Sequence, residues 1–233
     1  MDNWIVCLKH GEKYNFDYVN RLYNMCKRHC SLNFNFACLT ENPSGINPNI
    51  NILPLPKAKL YGWWYKPYLF SQDFPLDGNL LFFDLDIVII KNIDNLWSFS
   101  PNKFCIIKDF NRVNIPNWNK MNSSVFKLRK GSYPHVWENL KSDWKQTSRM
   151  HGDQDWIYKE MSTQSYEFWP DDWIQSYKWE IRNKNDIIRS QNNKRVFRTK
   201  ENPKIKDSTS ILVFHGEPKP NEVEDPIVVD NWR

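Results

Sequence analysis

Two carboxylates interrupt an apolar run. In LLFFDLDIVII, residues 80–90, only Asp84 and Asp86 are polar. Ionised carboxylates are expensive to bury without partners, so such a run does not carry two of them idly. Residues two apart on a strand share a face, so one continuous strand would aim both carboxylates at the same point. Like charges that close need a cation beside them. Parallel α/β sheets collect ligands beyond the carboxyl ends of their strands, and Asn92 and Asp94 stand in the turn beyond. The chemistry this spacing supports is a divalent metal that grips a phosphate, or a carboxylate that attacks one. A DxD pair alone is a weak signal. Its place at the end of LLFFDLD gives it weight.

Either chemistry requires a sheet to hold the pair. WIVCL (4–8), NFNFACLT (33–40) and INILPL (50–55) read as strands, and 15–30 carries a helical stripe of Phe16, Val19, Leu22, Tyr23 and Cys26. Lys27 and Arg28 near its end favour the helix dipole. Pro67, in YGWWYKPYLFSQDF (61–74), predicts a helix beginning near it, with Lys66 just before an anion-attracting N-terminus. FCIIKD (104–109), NSSVFKLR (122–129) and ILVFH (211–215) read as further strands and 133–145 as a helix. GDQDWIYKEM opens another helix, with Asp153 or Asp155 near its start and an N-cap as the structural role open to Asp153 beside a site role. This order predicts a single-domain α/β fold over 1–233, with a mixed, mainly parallel sheet flanked by helices. No internal repeat or linker divides it.

The 233 residues are 40% hydrophobic and 25% charged, the balance of a globular chain. No run approaches the ~18 apolar residues of a membrane span. MDNWIVCLKHGEKY lacks the pattern of a signal peptide, so a cytoplasmic location is expected, with peripheral attachment at a membrane face as an option. Cys7, Cys26, Cys30, Cys38 and Cys105 show no disulfide rhythm. Cys26 and Cys30 have no second ligand pair and read as buried thiols rather than a metal site. The net charge of +5 is uneven: 182–206 holds nine basic residues against Asp186 and Glu201. That run reads first as a solvated surface and second as a dock for an anionic surface; no motif for specific nucleic-acid binding accompanies it. Aromatic residues make up 15% of the chain, twelve of them tryptophans. Core packing accounts for most, and exposed indoles also suit the apolar faces of sugar rings.

Two enzyme classes place carboxylates this way. Haloacid-dehalogenase-like phosphatases end an apolar strand in DxDx(T/V), which 84–88 fits, and GDQD (152–155) faintly echoes their acidic last motif. Asp84 would then be the nucleophile and Asp86 the acid–base. Against this alternative, about 80 residues with strands of their own precede the pair, and the intervening Ser/Thr and Lys motifs are missing.

The chain more closely resembles nucleotide-sugar glycosyltransferases of the GT-A (Rossmann-like) fold, in the glycogenin-like and bacterial lipopolysaccharide glycosyltransferase family 8 group. FFDLDIVIIKNIDNLW is similar to their DxD segment. MNSSVFKL (121–128) resembles the strand that lines the donor sugar. GDQDWI resembles their helix start, and WIQSYKW (173–179) a segment seen in bacterial and phage members. FHGEPKP (214–220) resembles the closing element, with its FHGxPKP ending, and Lys66 in GWWYKPYLF the donor-side lysine. These matches keep the family's order over 62–220. The resemblance implies a nucleotide-binding half, 1–90, and a donor and acceptor half, 91–233. It implies Mn2+ or Mg2+ on Asp84, Asp86 and His215, and a donor, UDP-sugar favoured and GDP-sugar second, on Lys66, Asp84, Ser123 and Lys219; the turn after the first strand, with Lys9, His10 and Tyr14, is the expected neighbourhood of the nucleotide. Asn122, Asp153 and Gln154 would hold the sugar and orient the attack, with retention of configuration. The acceptor, whether glycan, lipid-linked or protein, is not implied.

The sequence departs from that pattern in three places. Ser124 replaces a glycine, His215 stands directly before Gly216 rather than two residues earlier, and no tryptophan follows Lys219 and Pro220. Each residue also has a structural alternative: a surface lysine at Lys66, a strand-edge role for Asn122, a core histidine at His215. His151 and Asp155 read as structural. A non-catalytic sugar- or nucleic-acid-binding protein on the same scaffold is the third class.

Overall fold

Alternating side chains on the first strands dictate a sheet covered on both faces. In β1 (Asn3–Lys9), Ile5 and Cys7 turn to one core and Val6 to the other. In β4 (Asn79–Phe83), Leu81 and Phe83 join the first core while Leu80 and Phe82 join the second. Each large side chain so buried contributes about 1.5–3 kcal/mol relative to exposure. In this computed structural model, residues 2–182, 187–189, 195–197 and 202–233 are described, with backbone only for 187–189 and 195–197.

α1 (Phe16–His29) covers the first face. Asn15 caps it by accepting from the Asp17 amide at 3.1 Å, Asp17 stands in its first turn, and Lys27 and Arg28 in its last. Fourteen residues are marginal as an isolated helix; burial of Val19, Leu22, Met25 and Cys26 fixes it. β2 (Asn35–Thr40) and β3 (Asn51–Leu53) extend the sheet in parallel beyond β1, and β4 pairs in parallel on its other side. A 3-10 helix, Gly62–Phe70, packs on the second face.

The strand expected through 80–90 divides. β4 stops at Phe83, 84–86 form a turn, and β5 (Ile87–Ile89) belongs to a second sheet. The Asp84 amide donates to Ser124 O at 2.8 Å and Asp86 O accepts from Phe214 at 3.0 Å, so the turn is stitched at both ends. A strand running on through the core would have buried both carboxylates against apolar layers; the turn brings them to the sheet's carboxyl edge.

After α2 (Asn95–Ser98), the chain forms β6 (Phe104–Lys108) and β7 (Met121–Arg129), then α3 (His135–Ser142), α4 (Trp144–Thr147), α5 (Asp153–Met161) and β8 (Tyr166–Phe168). The seven-stranded order is β3-β2-β1-β4-β7-β6-β8, parallel except where β7 meets β4 and β6. Ile106 and Ile107 on β6 face Phe126 and Asn122 on β7, so 123–125 bulge without β6 partners. The Trp169 indole satisfies one acceptor left without a β6 partner there, donating to Val125 O at 3.1 Å. Bulges of this kind re-aim side chains.

β9 (Ile174–Ser176) leads into a π-helical turn, Tyr177–Ile181, and then β10 (Ile187–Arg189) and β11 (Arg195–Phe197), an antiparallel pair. β12 (Ile211–Val213) completes the second sheet, in the order β5-β12-β9. The last helix, α6 (Pro226–Val229), follows Asp225, and Arg21 and Arg28 of α1 donate to carbonyls of the terminal residues 231–233. Most of the basic run at 182–206 lies outside the described residues; within it Arg182 pairs with Asp225 and Lys206 with Asp172. Among the described residues no helix is long and apolar enough to cross a membrane. All five cysteines are free thiols.

Candidate active site

Lys66 joins the carboxyl end of β4 to the amino ends of β7 and α5. Its ammonium lies 2.8 and 3.0 Å from the two oxygens of Asp84, 3.1 Å from Ser123 Oγ and 3.4 Å from Asp153 Oδ2. Only 6% of the side chain is exposed. Burial works against its charge, but Asp153 and Asp84 outweigh it and hold the ammonium more firmly protonated than usual. Burial pushes Asp84 up from the usual carboxylate range, with Lys66 opposing. The Ser123 hydroxyl, re-aimed by the bulge, donates to Asp153 Oδ2 at 2.6 Å.

Lys66 does not precede a helix. It sits inside the 3-10 helix with Pro67 beside it. In such a tight element proline forfeits one i→i−3 bond and escapes the clash it would meet in an α-helix, so the chain continues through it. Nor is Asp153 the N-cap of α5. Gly152 holds that position in extended backbone and Asp153 is the first helical residue, because its carboxylate is already engaged by Ser123 and Lys66 rather than by the helix's own amides.

Asp86 is 7% exposed and has its own cation. It pairs with the Lys219 ammonium and accepts from the Tyr14 hydroxyl at 2.9 Å. Burial and then the Asp86 charge raise the Tyr14 phenol well above its usual range, so it remains a donor. Lys219 also donates to Phe214 O at 3.3 Å, and a capping box with Glu222 fixes its backbone. Each carboxylate of the pair thus holds one lysine.

His215 follows Phe214, whose amide is bonded to Asp86 O, so its backbone is tethered next to that of Asp86. Its Nε2 lies 2.7 Å from Ser176 Oγ, and its ring stacks on Phe110 and meets Trp179 edge-on. Burial, then the Lys178 ammonium, depress it to about 3, so it is neutral at physiological pH. Ser176 was not singled out from the sequence, although it lies within WIQSYKW.

Asn122 Nδ2 donates to Gln154 Oε1 at 3.4 Å, and Asn122 Oδ1 accepts from the Ser124 amide at 3.1 Å. The strand-edge role and the site role of Asn122 therefore coexist. The structure brings Lys66, Asp84, Ser123 and Asp153 into one cluster, Tyr14, Asp86 and Lys219 into a second, and Asn122 and Gln154 into a third. Lys9 joins none of them. It is buried at the end of β1, while its neighbour His10 accepts from the Gly62 amide at 3.1 Å.

Two carboxylates and a neutral imidazole with one nitrogen already engaged are the donor types a hard divalent cation takes. Here ammonium groups balance the carboxylates, and among the described residues no three His, Cys, Asp or Glu side chains form a metal cage. The donor chemistry fits such an ion.

The fold matches solved glycosyltransferases. The galactosyltransferase LgtC, in complex with donor and acceptor sugar analogues, superposes with a TM-score of 0.62 at 11% identity, covering 93% of this chain and 88% of LgtC. GlyE of Streptococcus pneumoniae TIGR4 gives 0.59 at 11% identity over 94% of this chain and 56% of GlyE. The bifunctional WbbM gives 0.61 at 14% identity over 99% of this chain and 49% of WbbM. The chain thus spans most of LgtC and about half of GlyE and WbbM. No family model and no curated protein matches it in sequence. The shared fold is the GT-A fold, which does not favour the phosphatase alternative.

Proposed function

We propose that this protein transfers a sugar from a nucleoside-diphosphate sugar to a glycan, with a divalent metal and with retention of configuration. The observation that carries this reading is the gathering of Asp84, Asp86, Lys66, Lys219, Ser123 and Asp153 at the carboxyl edge of a GT-A sheet. LgtC, which shares the fold, is known with donor and acceptor sugar analogues bound.

Asp84, Asp86 and His215 would hold Mn2+ or Mg2+, which supplies Lewis-acid stabilisation to a departing diphosphate. Lys219 and Lys66, paired with these carboxylates in the structure, are the fixed positive charges that face the diphosphate as it leaves. Tyr14 orients Asp86 through its hydroxyl. Asn122 and Gln154 position the donor sugar and the incoming hydroxyl. The bond from the anomeric carbon to the acceptor oxygen forms on the side from which the diphosphate departs, and the hydroxyl's proton passes to a diphosphate oxygen. Asp153 is a poor general base, because it accepts from Ser123 and lies against Lys66; this supports retention over an inverting reaction.

The test is a thermal-shift panel of UDP, GDP, CDP and their sugars, with and without Mn2+, on wild type and Asp86→Ala. A ligand at a hundred times its dissociation constant stabilises the fold by about 2.7 kcal/mol. One nucleotide should do so only with metal, and Asp86→Ala should lose the effect. Phosphoester hydrolysis without any nucleotide response would sink the proposal.

A further inference from the structure

Ser176 is completely buried where β9 ends, and its hydroxyl serves two groups. It accepts from the Trp179 amide at 3.2 Å, which caps the π-helical turn, and it lies 2.7 Å from His215 Nε2. A cap needs only the first contact. The second is built by the sheet: Ser176 pairs with Val213 of β12, and His215 stands two residues further along that chain. The serine is itself held. Its amide donates to Glu180 Oε2 at 2.7 Å, and Arg112 Nη2 lies 3.4 Å from both Glu180 oxygens. The Arg112 and Glu180 side chains are only 8% and 12% exposed. Arg112 also supports the imidazole by a second route. Its guanidinium lies over the Phe110 ring at 4.9 Å, and Phe110 stacks on His215 with centroids 5.1 Å and planes 10° apart. Among the described residues, Nε2 is the one ring nitrogen of His215 with a hydrogen bond, and Nδ1 has none.

From this we infer that Ser176 is a positioning residue that commits His215 Nε2 to its hydroxyl and leaves Nδ1 as the metal-ligating nitrogen, an inference that rests on the proposed metal reading. An imidazole binds a cation through the lone pair of one nitrogen and carries its proton on the other. With the proton on Nε2, Ser176 Oγ is the acceptor it meets. A hydroxyl oxygen has two acceptor positions, and the Trp179 amide and the Nε2 proton fill them. Ligation through Nε2 would instead require the ring to give up Ser176, because that nitrogen cannot serve both. The Phe110 stack and the Trp179 edge oppose the ring flip this would take. Glu180 and Arg112 act through the serine, keeping its oxygen where the tautomer needs it.

The experiment is pulsed EPR on frozen protein in Mn2+ with UDP, GDP or CDP in turn, its histidines labelled with 15N at either δ1 or ε2. His215→Gln identifies the signal among the five histidines. The expected result is a strong 15N coupling from the δ1 label and a much weaker one from ε2, both lost in His215→Gln. In parallel, thermal shift gives the Mn2+ concentration for half of the nucleotide-dependent stabilisation. Ser176→Ala should raise that concentration about 10–100-fold, and Ser176→Thr, which restores the hydroxyl, should return it toward wild type. The strong coupling arising from ε2 instead would overturn the inference and leave the metal site standing. So would an unchanged Mn2+ requirement in Ser176→Ala, since a serine that only caps the turn shifts stability alone. The labelled wild type decides the nitrogen even where Ser176→Ala fails to fold. Bound Mn2+ with no coupling from either label would remove His215 from the metal site and overturn both readings of it. A wild type that no nucleotide stabilises with Mn2+ would defeat the transferase reading first, and this inference with it.

Discussion

Lys66→Met provides the sharpest test of the site's electrostatics. In the native protein one ammonium, 6% exposed, serves Asp84 at 2.8 Å and Asp153 at 3.4 Å. Methionine keeps most of the stem's packing and removes the charge, leaving two carboxylates at one buried point. Breaking a buried pair from one side costs about 3–5 kcal/mol, against about 0–1 kcal/mol for a surface pair. For a chain of this length that corresponds to a fall in Tm of roughly 6–20 °C. The assay is urea denaturation in chelator, with the fall in Tm measured separately. The sign of the pH dependence follows from Asp84. Burial already raises its folded pKa and Lys66 opposes that rise, so the substitution raises it further. The folded state then binds more protons than the unfolded state, and stability increases as pH falls. The deficit should therefore narrow between pH 7 and 5. Lys66→Met/Asp84→Asn, which removes one stranded charge, should recover part of it at neutral pH. A loss below about 1 kcal/mol, independent of pH, would refute the reasoning and return Lys66 to the role of a solvated lysine.

Two further outcomes are expected. His215 should remain neutral by NMR well below pH 6.5, its resonance identified from a His215→Gln spectrum; with the folded pKa depressed to about 3, the unfolded state binds more protons between those values and stability falls with acidification. An inflection near 6.5 would mean that the ring is open to water. Asp225→Asn removes the charge that accepts from Arg182 Nε at 2.8 Å and Tyr177 OH at 3.1 Å, and should cost about 3 kcal/mol, read as a lower urea midpoint at constant m; a change under about 1 kcal/mol would show that packing alone holds the C-terminal segment.

The sequence by itself determined the sheet and its two covered faces. Side-chain alternation in 4–8 and 80–83 and the stripe along 15–30 are local patterns, and local patterns survive without knowledge of distant partners. It also pointed to Asp84 and Asp86, because two charges in an apolar run are anomalous wherever they end up. Only the tertiary structure decided how those charges are held. The strand had to break at Phe83 because backbone partners from Ser124 and Phe214, some 40 and 130 residues away in sequence, fix the turn. The 3-10 helix through Pro67 follows from packing on the second core, which overrode the local signal for a helix start. Asp153 became a partner of Lys66 and Ser123 rather than a cap for the same reason. A carboxylate's role is set by which cation it meets in space, and periodicity along the chain carries no record of that distance.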